Sequence, residues 1–216
     1  MHLKSHIAGF AAKIAIVFGF ISLAFSEGTQ LPSFGRDTVL VWKIQNTSLE
    51  EGFIVRIAEF SPDRYVEWEN EKTQGTIFMP AKDVLEAKGY TSSGLFEAGV
   101  DRRSKNAITL WLSQKIYRDL KEKKKARCVL DGVITWLQYL GEEHLTVEVN
   151  RNPMQLPVIR ISDDRGSERW FLDQENNPLL VKHIVRGYSQ TLTSITTDKH
   201  NTLRWINKTK LGNLSH

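Results

Sequence analysis

The residues that could bind a metal are scattered along this chain of 216 residues. Four of its histidines follow residue 26, at positions 144, 183, 200 and 216, and none of them stands at a metal-ligand spacing from another. His183 alternates with apolar residues on a predicted strand, a pattern typical of a half-buried structural histidine. The sequence therefore predicts no metal site and no other cofactor.

Candidates for catalysis are equally sparse. The cluster Ser92-Ser93-Gly94 lacks the Gly-x-Ser-x-Gly elbow that exposes a nucleophilic serine. Glu67 and Glu69 share one face of a predicted strand, where two carboxylates could exchange protons with a substrate. We therefore assign no catalytic residue and favour a non-enzymatic role, with a hydrolase that uses carboxylates on an open sheet face as an alternative.

The densest charge feature is the basic run from Lys121 to Arg127. Such a run could contact anionic lipid head groups. It also fits the solvated C-terminus of a helix, where cations are favoured by the helix dipole. Because Asp119 and Glu122 dilute the positive charge, the second interpretation is preferred.

The first 26 residues have the pattern of a secretory signal peptide. Lys4 and Lys13 precede the uncharged run 14–25, and the segment ends in Ala24-Phe25-Ser26, a small-x-small cleavage pattern. We expect cleavage near Ser26 and a periplasmic or secreted protein. The alternative is an uncleaved anchor, although the apolar run is shorter than the ~20 residues that a bilayer needs.

Composition narrows the class of partner. Removal of the leader takes away two lysines and no acidic residue, so the formal charge falls from +4 to +2 and no nucleic-acid partner is expected. After cleavage we expect at most transient membrane contact. The single cysteine, Cys128, excludes an intramolecular disulfide and is predicted to be a buried thiol beside Val129 and Leu130.

The elements that must position these residues are mainly strands. Short β-branched and aromatic runs separated by turn residues predict strands at 38–45, 52–60, 64–70, 76–79, 128–130, 133–140, 144–149, 156–161, 168–172, 179–185 and 188–197. Two helices are predicted, at 80–88 and at about 109–124, and a turn is predicted at Gly141-Glu142. Residues 90–105 are predicted to form a mobile loop.

These elements predict an α+β, mainly β fold, in which a curled antiparallel sheet of about ten strands forms a half-barrel with two short helices. A sheet of that width should curl because strand twist accumulates. The expected organisation is a signal peptide at 1–26, a linker at 27–37, the β-rich domain at 38–197 and a polar tail at 198–216.

Two stretches carry a resemblance to a known architecture. Leu110–Lys121 leads into a strand pair, and Leu172–Leu180 leads into closing strands that finish with Leu192–Thr196. This layout resembles exported bacterial proteins of unknown function with the lipoprotein-carrier (LolA-like) half-barrel architecture. The resemblance implies a curved sheet with helices across its concave side and an apolar cleft of the kind that holds an acyl chain. It carries no functional residues over to this chain.

The sequence thus favours an exported domain that binds a lipid, a lipoprotein or another apolar ligand on the concave sheet face. An envelope scaffold that binds other proteins is the first alternative, and the hydrolase is the second. The oligomeric state is left open. The residues expected to line the apolar cleft are Trp42, Phe53, Val55, Trp68, Trp136 and Trp170.

Overall fold

Thirteen strands of the chain join into one large sheet, and two helices pack against it. These elements are seen in a computed structural model that describes residues 31–197. The expected signal peptide and C-terminal tail lie outside the described residues. Antiparallel pairing predominates in the sheet, which confirms the predicted mainly β fold with a curled sheet and two helices.

The elements follow the predicted strands closely. The helices are α1 (Ala81–Glu86) and α2 (Gln114–Lys123). The strands are β1 (Val39–Asn46), β2 (Glu50–Glu59), β3 (Arg64–Asn70), β4 (Gln74–Met79), β5 (Gly89–Tyr90), β6 (Asp101–Arg103), β7 (Ala107–Ile108), β8 (Lys125–Leu130), β9 (Val133–Val149), β10 (Asn152–Asp163), β11 (Glu168–Leu172), β12 (Leu180–Val185) and β13 (Tyr188–Thr196).

The order of the strands explains the curl. They run β6-β4-β3-β2-β1-β13-β12-β11-β10-β9-β8-β5-β7, and consecutive strands of the chain are mostly neighbours. The C-terminal end of β9 also pairs with β13, through Glu148 opposite Ser194 and Val149 opposite Ile195. Because β9 and β13 are four places apart in the sheet, this contact requires the strands between them to bend round.

Packing of the helices and the curled sheet produces two hydrophobic cores. The larger core is formed by apolar side chains from β1–β4, α1 and one face of β9–β13, together with Trp111 and its neighbours. The second, which we call the helix core, lies between α2 and the opposite face of β8–β11. Leu31 and Phe34, ahead of β1, also pack against the larger core.

Helix α2 begins five residues later than its apolar spacing predicts. Leu110 has a positive φ of 59°, and Trp111 forms an extended bridge with Leu179, so the chain cannot be helical there. The Ser113 hydroxyl caps the helix by accepting a hydrogen bond from the Ile116 backbone N–H at 3.2 Å.

The predicted turn at Gly141-Glu142 is wrong, because β9 continues through it for 17 residues. Arg160 pairs with Gly141 and Ile161 with Tyr139, so Leu140 is an extra residue in a bulge. Gly141 adopts a φ of +147°, which glycine tolerates without strain. A glycine between two apolar runs is typical of a bulge as well as of a turn.

Residues 90–105, predicted to be a loop, contain short paired segments. Strand β5 ends at Tyr90 and β6 pairs in parallel with β4. Between them, the Phe96 ring meets the rings of Phe53 and Trp68 edge-on, with centroid distances of 5.1 and 5.5 Å. Apolar contacts of this kind tie the segment to the larger core.

Candidate functional site

Five of the six residues predicted to line an apolar cleft come together in the larger core. The Phe53 ring lies 6.1 Å from that of Trp42 and 6.2 Å from that of Trp68. All five are buried by the surrounding protein: Trp42, Phe53, Val55, Trp68 and Trp170. In this conformation all five belong to one cluster of packed side chains. The cleft itself stays a prediction.

Trp170 shows how an indole is accommodated at the margin of that core. Its Nε1 donates a hydrogen bond to Glu143 Oε1 at 2.6 Å. The Arg160 guanidinium and the Lys182 ammonium lie 5.3 and 5.0 Å from the ring centroid. Both groups are within the range of a cation–π contact, so the ring is held by charge as well as by burial.

Trp136 differs from the other five because 45% of it is exposed. The bulge at Leu140 determines which face of the sheet Trp136 occupies. Since the extra residue shifts the alternation, Trp136 lies on the same face as Leu145 and Val147, which come after the bulge and contact the larger core. Trp136 therefore extends the core face of the sheet past the end of the core.

Strands β8 and β9 expose a patch of apolar and basic side chains to solvent. The register places Val129 opposite Ile134 and Arg127 opposite Trp136 on one face of the sheet. Lys125, two residues before Arg127, has the same orientation. We call this patch the β8–β9 face: Lys125, Arg127, Val129, Ile134 and Trp136. Its three apolar residues are 38%, 58% and 45% exposed.

The opposite side of the same two strands is covered. Ala126, Cys128 and Leu137 are buried in the helix core against Ile116 and Leu120 of α2. Burial raises the pKa of the Cys128 thiol to about 11, and the predicted buried cysteine is confirmed. The hairpin thus has apolar residues on both faces, and only one of these faces is used for packing.

The two cations of the β8–β9 face differ from Lys121 and Lys123 of the basic run in their ion pairs. Within the basic run, Lys121 bonds to Asp173 and Glu142, and Lys123 bonds to Asp119. In contrast, Lys125 and Arg127 form no ion pair with any described residue. The Lys125 ammonium lies 5.4 Å from the Trp136 ring centroid. Two cations thus remain available beside an exposed indole.

A buried polar cluster is the second arrangement with chemical potential. Ser167 Oγ and His183 Nε2 are 2.9 Å apart, and both residues are buried. The Asp163 carboxylate pairs with the Arg169 guanidinium at 2.9 Å. Burial would raise the pKa of Asp163, but hydrogen bonds from Arg169 and from the Ser167 and Arg165 N–H groups lower it.

This cluster resembles part of a catalytic triad without its third member. No carboxylate among residues 31–197 bonds to the other ring nitrogen of His183. Burial, reinforced by the charge of Arg169, lowers the pKa of His183 to about 4, so the ring is a weak base at neutral pH. The pair fits the predicted structural histidine better than a nucleophile with its base.

The other sequence candidates are not brought into a common site. Glu67 bonds to Arg56, and the backbone N–H of Ser92 donates to Asp131 at 2.7 Å. Among the described residues, no group of three or more His, Cys, Asp or Glu side chains could hold a metal ion. A cleft of about 440 Å³ beside residues 69–74 and 98–99 has a polar lining that includes Glu69.

No helix within residues 31–197 has the length and apolar character needed to cross a membrane. Comparison of the chain with protein-family models, with curated proteins and with solved structures finds no significant match. The β8–β9 face is therefore interpreted from its own chemistry. An indole and two aliphatic side chains lie beside two cations that form no ion pair with a described residue. This composition is suited to the interface between water and anionic lipid.

Proposed function

We propose that this chain is a non-enzymatic binding domain that attaches to anionic lipid surfaces through the β8–β9 face. The observation that carries the proposal is the exposure of Trp136 and Ile134 beside Lys125 and Arg127, which have no acidic partner among the described residues. Apolar side chains would enter the head-group region while the cations contact lipid phosphates.

The attachment is proposed to be peripheral and reversible. Each basic residue near an anionic membrane contributes roughly 1 kcal/mol, and a partly inserted tryptophan adds a contribution of similar size. The sum corresponds to weak binding, in keeping with the transient membrane contact expected from the sequence. With the expected secretory leader, the proposed lipid surface lies outside the cytoplasm.

The carrier activity implied by the LolA-like resemblance would require a change of conformation. Trp42 and Val55 are fully buried, so an acyl chain could contact them only if the larger core opened. The exposed β8–β9 face needs no such change. We therefore propose that lipid is met first at this face, and that enclosure of a lipid or lipoprotein chain is a separate hypothesis.

Vesicle co-sedimentation tests the proposal. Phosphatidylcholine vesicles with and without phosphatidylglycerol are mixed with the full chain, all variants keeping the same N-terminus so that the leader contributes equally. The double variant K125E/R127E should bind anionic vesicles about 30-fold more weakly, because two cations are replaced by anions. Trp136→Ala should weaken binding about tenfold.

The matched control is K82E/K105E, which changes the net charge equally at two exposed lysines without described ion pairs. It should bind like wild type. Equal losses in both double variants would show that only net charge matters, and would contradict the proposal. If wild type shows no preference for anionic vesicles, the β8–β9 face is left for a protein partner, as in the scaffold alternative.

A further inference from the structure

Arg64 is a buried cation with aromatic neighbours on two sides. It is the first residue of β3, and only 2% of it is exposed. Its guanidinium carbon lies 4.9 Å from the Phe60 ring centroid and 4.7 Å from that of Trp111. These rings attract the positive charge through cation–π contacts, but they offer no hydrogen-bond acceptor in the guanidinium plane.

Most of the guanidinium donors have no acceptor. Nη2 donates to the Asn176 backbone oxygen at 2.8 Å, whereas Nε and Nη1 are buried without a partner among the described residues. No described carboxylate pairs with Arg64, and burial lowers its pKa to about 9. The other buried arginine, Arg169, instead pairs with the Asp163 carboxylate. Arg64 therefore lacks the counter-ion that Arg169 has.

A second unpartnered donor belongs to the same cluster. Trp111 Nε1 donates to Asn177 Oδ1 at 2.8 Å, which fixes the amide so that Nδ2 is its free end. Asn177 is buried, and its Nδ2 has no partner among the described residues. The Oε1 of Gln174, three residues before Asn177, has no partner within residues 31–197, but a neutral amide oxygen cannot balance the charge of Arg64.

We propose that Arg64 and Asn177 form a buried binding site for a carboxylate group. A carboxylate is planar, carries one negative charge and accepts several hydrogen bonds, which matches a guanidinium and an amide that offer only donors. The group could belong to a free small carboxylate or to the head of a fatty acid. This site is on the larger core and is independent of the β8–β9 face.

Thermal unfolding of the full chain tests the site. Acetate is varied at constant ionic strength against gluconate, a carboxylate whose hydroxylated chain is too polar to be buried in the larger core. The melting temperature of wild type should rise with the logarithm of acetate concentration once acetate exceeds its Kd. Decanoate, used below its micellar range, is the second probe. A response to acetate alone identifies a small-anion site, and a response to both extends it to fatty acids.

Two variants and one control variant show where acetate binds. Arg64→Met should remove it, because the cation is gone. Asn177→Asp keeps the acceptor for Trp111 and places a carboxylate in the site, so it should melt higher than wild type without acetate and should not respond to acetate. Arg56→Met, which changes a partly exposed arginine already paired with Glu67, should respond like wild type.

If Arg64→Met does not fold, the acetate dependence of the melting temperature of Asn177→Asp decides by itself whether the anion binds beside Arg64. An unchanged melting temperature of wild type in both acetate and decanoate would overturn the proposal. An acetate response that persists in Asn177→Asp would place the anion elsewhere and would overturn it equally.

Discussion

The two faces of the β8–β9 hairpin differ in how their apolar residues are used. On one face, Leu137 is buried against α2 and contributes to the helix core. On the other, the adjacent residue Trp136 is 45% exposed beside Arg127, which forms no ion pair within residues 31–197. Residues one position apart in the chain thus belong to a folding surface and to a candidate binding surface.

Apolar character alone therefore does not define the core of the domain. A strand with apolar residues on both sides is expected to be buried on both sides. Here helix α2 covers only one side, and the larger core ends before it reaches β8. The uncovered side then has the composition of an interface, with an aromatic residue and cations together.

We call the side of the sheet against which α2 packs the covered face. The largest loss of stability is expected when the buried ion pair on this face is broken. Asp163 lies opposite Leu137 in the β9–β10 ladder and pairs with Arg169. Asp163→Asn leaves the guanidinium buried without a counter-ion, so it should lower the free energy of unfolding by about 3–5 kcal/mol, measured by urea denaturation.

The control for that pair is Glu168→Gln, which removes the partner of Arg160 at a more exposed position. It should cost less than about 1 kcal/mol, since screened pairs contribute little. Similar losses in the two variants would contradict the assignment of Asp163 to the covered face.

A cavity on the covered face should cause the next largest loss in the free energy of unfolding. Leu137→Ala removes a side chain that is 2% exposed and packed in the helix core. The expected loss is about 2–4 kcal/mol, because transfer and cavity terms add. Vesicle binding of the folded variant should not change. A loss below about 1 kcal/mol would show that α2 does not cover this face in solution.

Most of the strands could be predicted from the sequence. Runs of β-branched and aromatic residues between turn residues predicted them within a few residues of their observed bounds. The run 133–140 is apolar on nearly both faces, so the sequence could not tell which side of it is covered. That depends on where α2 packs, and the start of α2 depends on the bridge between Trp111 and Leu179, which are distant in the chain.

The partners of the buried polar residues were beyond prediction for the same reason. Arg64 bonds to the backbone of Asn176 across 112 positions, and no local spacing signals such a contact. Ser167 and His183 meet only because β11 pairs with β12, which places Arg169 opposite His183. The resemblance to a carrier predicted an apolar cleft, whereas a partnerless buried cation has no recognisable pattern in the sequence.

Acidification should destabilise the covered face through His183. Its pKa is lowered to about 4 in the folded chain, below its ordinary value of 6.5. Because the unfolded chain binds the proton more readily, stability is fully present above pH 6.5 and is lost as the pH falls toward 4, by about 2–3 kcal/mol. Urea denaturation at several pH values measures this loss.

The variant His183→Gln isolates the contribution, since it cannot titrate. Its free energy of unfolding should depend less on pH between 6.5 and 4 than that of wild type. Asp163, whose pKa is lowered, contributes separately, because its stabilisation is lost only below its ordinary value of 3.8. An identical pH dependence in both proteins would mean that His183 is not buried as described.

The smallest effect on stability is expected for Trp136→Ala, and that small effect is the sharpest test of the uncovered face. The side chain belongs to neither core cluster of the described residues, the Lys125 ammonium lies over its ring, and Arg127 is its cross-strand neighbour. Its removal should change the free energy of unfolding by less than about 1 kcal/mol, as for other surface positions. Urea denaturation of this variant beside Leu137→Ala compares two adjacent residues in one strand. A loss as large as that of Leu137→Ala would mean that Trp136 is packed, and the proposed binding face would then be part of the fold.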